Sequence, residues 1–153
     1  MKFRKYNKKD RIEVKDIFRQ YWTDDEFLNE LAGELDSKYC KFYITEENNE
    51  VVGIVGLRKA PAHFGNYTDT KNPAELYIIA SKYKNKGIGN LLGQKIIAEA
   101  KKLKFTEILC YSPETHKNSW KFYENLGFIK HGIIKDPNDE YPGILWKKII
   151  KFR

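Results

Sequence analysis

The sequence lacks a long hydrophobic run, and this argues against a membrane-spanning helix. No apolar stretch approaches the roughly 20 residues that a membrane-spanning helix needs. Residues 1–6 alternate charged and apolar side chains, whereas a signal peptide would show a block of apolar residues. We therefore expect a cytoplasmic protein without a membrane partner.

Cysteine and histidine are also scarce. The 2 cysteines, Cys40 and Cys110, lie far apart in strand-like surroundings, so two buried free thiols are predicted rather than a disulfide. The 3 histidines, His63, His116 and His131, form no HxxH or HxxxH pair. The sequence therefore predicts no metal site.

The chain nevertheless has the composition of a folded protein. It has 153 residues, of which 41% are hydrophobic and 14% aromatic, enough for a core in one domain spanning residues 1–153. The net charge of +7 favours an anionic partner, which could be a nucleic acid, a membrane surface or a small phosphorylated ligand. Aromatic residues are not interleaved with lysines as in RNA-binding sheets, so we expect no nucleic acid partner.

The hydrophobic pattern predicts the order β-α-α-β-β-β-α-β-α-β-β, a mixed α/β (α+β) sheet. Predicted strands cover residues 2–6, 41–45, 51–58, 74–80, 106–111, 128–135 and 144–150, and predicted helices cover 11–22, a segment after residue 23, 87–104 and 119–126. Residues 46–50 are predicted to form a polar hairpin turn, and residues 60–73 a loop.

Two details of the first helix follow from the same pattern. Asp10 is predicted to cap the helix that follows it. Ile12, Ile17, Phe18 and Tyr21 are predicted to form the apolar face of this helix.

A lysine-rich loop with two glycines precedes the longest predicted helix. Gly87 and Gly89 leave the backbone accessible, and the first N–H groups of a helix have no intrahelical partners and can bind phosphate. Either a solvated basic turn or a pyrophosphate site fits this pattern. A dinucleotide fingerprint is disfavoured because about six residues separate the strand from Gly87. A P-loop is excluded because no Gly-Lys-Ser or Gly-Lys-Thr follows.

Two motifs identify a family resemblance. Lys84 to Gly89 (KNKGIG) resembles the Arg/Gln-x-x-Gly-x-Gly/Ala acetyl-CoA motif of the GNAT superfamily of N-acetyltransferases, with lysine in place of the usual Arg or Gln. Asn118 to Phe128 (NSWKFYENLGF) resembles the family's second motif, although Lys121 occupies a position that is often small. The predicted strand order also resembles the family fold, the GNAT-like acyl-CoA N-acyltransferase fold.

The resemblance implies acetyl-CoA as cosubstrate and assigns the residues that would bind it. Backbone N–H groups of the glycine loop would hold the pyrophosphate, lysines beside them would add positive charge, and the preceding strand would pair with the pantetheine arm and supply an N–H to the thioester oxygen. These cofactor-binding residues are Ile79, Ser81, Lys84, Lys86, Gly87, Ile88, Gly89, Asn90 and Asn118.

The resemblance also implies an N-acetyltransferase in which an amine attacks the thioester directly. Tyr123 matches the position of the general acid that protonates the departing CoA thiolate, although a residue in the helical stripe with Trp120 and Leu126 could simply pack. Glu75 matches the position of a base in some members. His116 and a base-free reaction through water remain alternatives.

The distribution of charge suggests the acceptor. Residues 21–50 carry 9 acidic and 2 basic side chains, a net charge of −7, and the late turn adds Asp136, Asp139 and Glu140. The resemblance places these regions, and the loop with His63, Phe64 and Tyr67, near the acceptor entrance. Structural packing of that loop is the alternative. A cationic acceptor, such as a polyamine, a small amine or a peptide amine, is one interpretation. An ordinary solvated acidic helix is the other.

Two further functions compete with the enzyme. A non-catalytic acyl-CoA sensor or scaffold would keep the fold and the cosubstrate, and a basic nucleic-acid-binding module would use the lysine-rich surface. The acceptor, the pathway and the oligomeric state, with a homodimer among the options, are left open by the sequence.

Overall fold

The computed structural model describes residues 1–113, 118–135 and 142–152. Within these residues there are seven strands and four α-helices. The strands are β1 (Lys2–Lys5), β2 (Cys40–Glu47), β3 (Glu50–Lys59), β4 (Pro73–Ser81), β5 (Glu107–Pro113), β6 (Ile129–Ile134) and β7 (Gly143–Ile149), and the helices are α1 (Arg11–Tyr21), α2 (Asp25–Glu34), α3 (Ile88–Lys102) and α4 (Asn118–Asn125).

The order of elements along the chain and the mixed sheet are those predicted, so the fold class is confirmed. The described strands follow the order β1-β2-β3-β4-β5-β7-β6 in the sheet. β4 pairs with β5 in parallel over Pro73–Glu75 and Glu107–Leu109, and β5 and β6 pair with β7 in antiparallel fashion. No helix in the described part of the chain is long and apolar enough to cross a membrane.

The contacts within the chain define two compact units. The first unit comprises Met1–Arg58 and Ile78–Ile96, and the second comprises Lys59–Tyr77 and Ile97–Arg153. A single domain over residues 1–153 therefore stays a prediction.

In the first unit, the start of α3 packs closely on β3. Ile88, Leu92 and Ile96 are spaced four residues apart and are buried along one face of α3. Gly53 of β3 makes this packing possible, because a Cβ atom there would lie 2.8 Å from side-chain atoms of Ile88 and Leu92. The absence of a side chain at Gly53 thus sets the position of the N-terminus of α3.

The predicted inner face of α1 is partly wrong. Ile17 and Phe18 are buried together with Val14, but Ile12 is 76% exposed. Ile12 precedes Val14 by two residues, or about 200° around the helix, so it points away from the buried face. Tyr21 lies at the end of the helix and is also largely exposed.

The predicted capping role of Asp10 is also wrong. A 3₁₀ turn, Lys8–Asp10, precedes α1, and Asn7 caps that turn by accepting a hydrogen bond from the Lys9 N–H. The Asp10 carboxylate makes no capping bond to α1. It accepts hydrogen bonds from the Asn7 N–H at 3.0 Å and from both terminal nitrogens of Arg4 at 2.8 Å.

Two connections also differ from the prediction. The β2–β3 turn is only Asn48 and Asn49, with φ of 53° and 65°, because asparagine tolerates the left-handed conformation of a tight hairpin turn. Strand pairing therefore extends to Glu47 and Glu50. The predicted loop 60–73 contains a 3₁₀ helix, Ala62–Tyr67.

In the second unit, the strands bury side chains on both faces. Phe64 packs with Leu109, Ile134 and Leu145 on one face. The 60–73 segment is held by the buried Glu107 carboxylate, which accepts hydrogen bonds from the Asp69 and Thr70 N–H groups at 2.9 and 3.0 Å. Lys147 lies beside it, 3.6 Å from Glu107 Oε2, and bonds Asp69 at 2.5 Å.

Candidate active site

The predicted phosphate loop lies in the first unit, between β4 and α3. Asn85 and Gly87 adopt φ of 61° and 75°, and α3 begins directly afterwards at Ile88. The side chain of Ile88 is buried, so this residue can offer a ligand only its backbone, whereas Gly87 and Asn90 are exposed. No atom of the described residues beyond the adjacent ones lies within 4 Å of the position of a Cβ at Gly87. There is thus open space beside Gly87, directly before the first N–H groups of α3, where an anion site would lie.

The lysines of this loop differ in their surroundings. Lys82 Nζ lies 3.1 Å from Glu50 Oε1, and Tyr83 donates a hydrogen bond to the same oxygen at 2.5 Å. These two contacts lower the pKa of Glu50, so the carboxylate stays charged. Lys84 and Lys86 are exposed, and no ion pair among the described residues involves them. Their ammonium groups are therefore the ones available to a phosphate.

The end of β4 has a partner that the sequence did not predict. Ile79 and Ser81 are half-buried, and the carbonyl oxygen of Ser81 accepts a hydrogen bond from Tyr21 Oη at 2.5 Å. The Lys82 N–H donates to the carbonyl of Val52 at 2.8 Å. No sequence motif signals Tyr21, because this contact spans 60 positions and exists only once α1 and β4 are folded.

In the second unit, the end of α4 fixes Tyr123. Gly127 adopts φ of 90°, the Phe128 N–H donates to the Tyr123 carbonyl at 3.0 Å, and the Gly127 N–H donates to the Glu124 carbonyl at 3.0 Å. These bonds form a Schellman motif, in which the residues three before the end and two after it usually touch. The rings of Tyr123 and Phe128 lie 6.0 Å apart, so the Tyr-x-x-x-Gly-Phe spacing is the spacing of this helix end.

The Tyr123 side chain is 7% exposed and is surrounded by aromatic rings and one thiol. Its ring lies 5.6 Å from that of Trp146, and its hydroxyl forms a side-chain hydrogen bond with Cys110. Burial raises the pKa of Tyr123 well above 10, and the neighbouring Cys110 acts in the same direction. The phenol therefore keeps its proton at neutral pH, more firmly than the ordinary value near 10 suggests.

Glu75 lies on β4 within the second unit and is buried. It pairs with Leu109, so the two side chains share one face of the sheet, the face where Leu109 packs on Phe64. Cys110 follows Leu109 on the opposite face and pairs with Trp146, which packs on Tyr123. The predicted base and the predicted acid thus belong to opposite faces of these strands.

The structure places the remaining predicted residues in several different environments. Phe64 is a core residue, and Tyr67 is half-buried with its ring 5.6 Å from that of His131, an exposed residue of β6. Asn118 begins α4, but its side chain lies outside the described residues, as do His116, Asp136, Asp139 and Glu140.

The acidic segment 21–50 is partly neutralised in the structure. Asp36 pairs with Arg11 at 2.7 Å, Glu46 with Arg4 at 3.2 Å, and Glu50 with Lys82. The described ion pairs leave out the acidic side chains of α2, which are Asp25, Glu26, Glu30 and Glu34. A pocket of about 220 Å³ lies between α1 and α2, lined by Lys15, Arg19 and Asp25 among others.

The second unit also contains a cavity lined mainly by basic side chains. A cavity of about 590 Å³ in the second unit is lined by Lys130, Lys147, Lys148 and Lys151, with Asp69 as its acidic residue. Neither Tyr123 nor Glu75 lines it.

Among the described residues, no group of three or more His, Cys, Asp or Glu side chains could hold a metal ion.

Solved structures share this fold from end to end. An aminoglycoside 6'-N-acetyltransferase complexed with coenzyme A superposes with a TM-score of 0.80 at 18% identity, covering 100% of this chain and 99% of that one. The ribosomal-protein-S18-alanine N-acetyltransferase of Escherichia coli superposes with a TM-score of 0.77 at 14% identity, covering 99% and 95%.

A curated relative is similar in sequence over most of this chain. The N-acetylaspartate synthetase of Xenopus tropicalis is 26% identical in an alignment of 129 residues, which covers 76% of this chain but 45% of that protein. This chain therefore matches less than half the length of that relative.

The family comparison agrees with the two motifs. The model of the acetyltransferase (GNAT) family matches residues 11–128, a range that contains the phosphate loop, Glu75 and Tyr123. The predicted family is thereby confirmed, and the predicted enzyme class, an acyltransferase that uses acetyl-CoA, is the class of that family. This chain belongs to the GNAT family of acetyltransferases.

Proposed function

We propose that this chain transfers the acetyl group of acetyl-CoA to a primary amine by direct attack, with Tyr123 as the general acid. The observation that carries the proposal is the buried, protonated phenol of Tyr123, fixed by the Schellman motif at the end of α4. A donor in a water-poor site can stabilise charge that develops on a leaving sulfur.

The cosubstrate would bind through the first unit. Backbone N–H groups from Gly87 to Asn90 would hold the pyrophosphate, Lys84 and Lys86 would add positive charge, and the backbone of Ile79 and Ser81 would pair with the pantetheine arm. The open space in front of Gly87 supports this assignment. Asn118 would contact the arm from the start of α4.

The reaction follows from these roles. The neutral amine attacks the thioester carbonyl, a C–N bond forms, and an N–H near Ile79 stabilises the oxyanion. The C–S bond then breaks, its electron pair stays on sulfur, and Tyr123 Oη supplies the proton. Glu75 would take the proton of the amine, directly or through water.

The acceptor we propose is a cationic amine. The carboxylates of α2, which the described ion pairs leave out, support this, because a cluster of negative charge concentrates a cation. An aminoglycoside N-acetyltransferase is among the structural neighbours, and N-acetylaspartate synthetase is a relative whose name indicates an acidic product. These two names imply acceptors of opposite charge, so a comparison of such amines as substrates tests the proposal directly.

We expect acetylation of polyamines and aminoglycosides, with a kcat/KM at least about tenfold above that for aspartate or glutamate. The measurement is release of the CoA thiol, with the acetylated amine identified by mass spectrometry. A preference for acidic or neutral amines would contradict the cationic acceptor. Binding of acetyl-CoA with no product from any amine would instead favour the sensor.

Replacing Tyr123 by phenylalanine tests the general acid, because the ring packing is kept while the proton donor is lost. We expect kcat to fall by ~10²-fold or more, with KM for acetyl-CoA little changed. Tyr43→Phe is the matched control, since Tyr43 is another buried tyrosine, in β2. An unchanged kcat in Tyr123→Phe would refute the role of Tyr123.

A further inference from the structure

The cavity of about 590 Å³ in the second unit has no part in the proposed reaction. It is lined by residues of the segments 127–131 and 147–151 and by Asp69, and we call it the basic cavity. None of the residues proposed to bind acetyl-CoA or to move a proton lines it. Its volume is within the range of small-molecule sites, which is roughly 300–1,000 Å³.

The walls of the basic cavity carry an excess of positive charge. Four lysines line it, against the single carboxylate of Asp69. Within the described part of the chain, the ion pairs involve Lys147 but not Lys130, Lys148 or Lys151. A concave surface with charge of one sign concentrates ligands of the opposite sign, so the basic cavity favours an anion.

Neighbouring residues hold two of these lysines in place. The Lys130 ammonium group lies over the ring of Trp120, 4.4 Å from its centroid. Lys148 Nζ lies against Gly127, because a Cβ atom there would be 2.6 Å away from it. The absence of a side chain at Gly127 therefore leaves the space that the Lys148 ammonium group occupies.

The basic cavity already contains one anion, a carboxylate of the chain itself. Lys147 is only 8% exposed, and it donates a hydrogen bond to Asp69 at 2.5 Å. This bond lowers the pKa of Asp69, and His131 acts in the same direction. The Asp69 side chain is 67% exposed, so it can turn into solvent, while the buried Glu107 stays 3.6 Å from Lys147 Nζ. A ligand oxyanion can thus replace the Asp69 carboxylate.

The basic cavity also has an apolar part. Ile129 and Ile149 line it, and their side chains are 74% and 44% exposed. A bare inorganic ion would leave both side chains in water. A ligand with an organic group beside its anionic group would cover them, which is favourable because apolar surface is removed from water.

We propose that the basic cavity binds a phosphorylated small molecule, whose phosphates contact the lysines and whose organic part covers Ile129 and Ile149. A phosphate has several acceptor oxygens and more than one negative charge, so it can engage several ammonium groups at once. The concave shape favours a small molecule over a nucleic acid. This site is additional to the proposed acetyl-CoA site and does not depend on it.

A titration of the full chain with ATP tests the site by ¹H–¹⁵N NMR. The backbone N–H signals of Ile129 and His131 report on the basic cavity, and that of Gly89 reports on the glycine loop. We expect saturable shifts at Ile129 and His131. Inorganic tripolyphosphate has three phosphates but no organic part, so its Kd should be at least about fivefold higher. An equal or lower Kd for tripolyphosphate would overturn the proposal.

Two variants of the basic cavity should change the ATP Kd at these signals in opposite directions. Lys148→Gln combined with Lys151→Gln should raise it roughly tenfold, because two ammonium groups are lost. Asp69→Asn should lower it roughly threefold, because the competing carboxylate is removed.

Lys2→Gln combined with Lys41→Gln is the matched control. Both lysines are exposed residues of the first unit, and the loss of charge is the same. The ATP Kd should stay within about twofold of wild type. An equal rise of the Kd in this control would indicate general attraction between charges and would overturn the site.

Other outcomes would also contradict the proposal. Shifts at Gly89 without shifts at Ile129 and His131 would place ATP in the glycine loop alone. A higher Kd in Asp69→Asn would refute the replacement of its carboxylate by the ligand. Displacement of ATP by a lower concentration of single-stranded DNA would make a nucleic acid the ligand instead. None of these readouts involves acetyl transfer, so failure of the proposed function would appear only in the transfer assay.

Discussion

At the scale of single residues, lysine side chains of one loop have different environments. Lys82, Lys84 and Lys86 alternate along the same segment, and the family resemblance assigns Lys84 and Lys86, but not Lys82, to the cosubstrate. The structure pairs Lys82 with Glu50 and leaves Lys84 and Lys86 exposed. Because the Lys82 ammonium group already pairs with a carboxylate, we expect it to contribute less to phosphate binding.

This difference predicts a difference in cosubstrate affinity. We expect Lys84→Gln combined with Lys86→Gln to raise the Kd for CoA roughly fivefold at low salt, and less at high salt where charges are screened. Isothermal titration calorimetry at several ionic strengths measures it. Lys82→Gln is the control and should change the Kd by less than about twofold. An equal effect of Lys82→Gln would contradict the distinction.

At the scale of secondary-structure elements, the helix end at Gly127 joins a sequence motif to a position in space. Gly127 permits the left-handed turn, and the turn brings Phe128 back onto Tyr123. The motif therefore has a structural reason besides any contact of its side chains with a ligand. A change in the turn should move the proposed general acid.

Gly127→Ala tests this element. A Cβ at φ of 90° is strained, and it would lie 2.6 Å from Lys148 Nζ, which can move away. We expect the free energy of unfolding to fall by about 1–2 kcal/mol, with a lower kcat in the variant that remains folded. Urea denaturation measures the first quantity, and acetyl transfer measures the second.

Gly33→Ala is the matched control for this prediction. Gly33 lies in α2, and a methyl group added there would meet no described atom outside its own helix within 4 Å. Alanine there should stabilise the protein by about 0.5–1 kcal/mol, because it favours the helix. If both alanine variants changed stability in the same direction, the special role of the Gly127 turn would be refuted.

At the scale of the whole molecule, we expect the free energy of unfolding to depend more on a few ion pairs than on the total charge of +7. Asp10 is only 3% exposed, and its two oxygens bond Arg4. The hydrogen bond with Arg4 holds the pKa of Asp10 below its ordinary value of 3.8. The folded protein therefore binds this proton less readily than the unfolded chain does.

This lowered pKa predicts how stability depends on pH. The Asp10 contribution is fully present above the unfolded pKa near 4 and is lost as pH falls through the lower folded value. We expect Asp10→Asn to reduce the free energy of unfolding by about 2–3 kcal/mol at pH 7, and the difference should shrink below about pH 4. Urea denaturation across this pH range measures it.

Asp16→Asn is the control for this ion pair. Asp16 bonds Arg19 on the exposed surface of α1, with most of its side chain in solvent. Such pairs contribute about 0–1 kcal/mol, so this variant should be close to wild type at every pH. Equal losses in Asp10→Asn and Asp16→Asn would contradict the importance of burial.

Whether a feature could be predicted from the sequence depends on how far apart along the chain its interacting residues lie. The α3 face of Ile88, Leu92 and Ile96 and the end of α4 at Gly127 were predictable, because they depend on residues three to five positions apart. The exposure of Ile12 and the role of Asp10 were not. Each depends on the exact position of the helix start, which a preceding 3₁₀ turn sets.

The sequence by itself determined the order of elements, the glycine loop before α3 and the two motifs of the acetyltransferase family, since all of these are local patterns. Tertiary structure alone decided which lysine is neutralised, that Tyr21 reaches Ser81, and that Cys110 meets Tyr123. These contacts join residues far apart along the chain. They exist only because packing brings strands and helices together, and no spacing in the sequence records them.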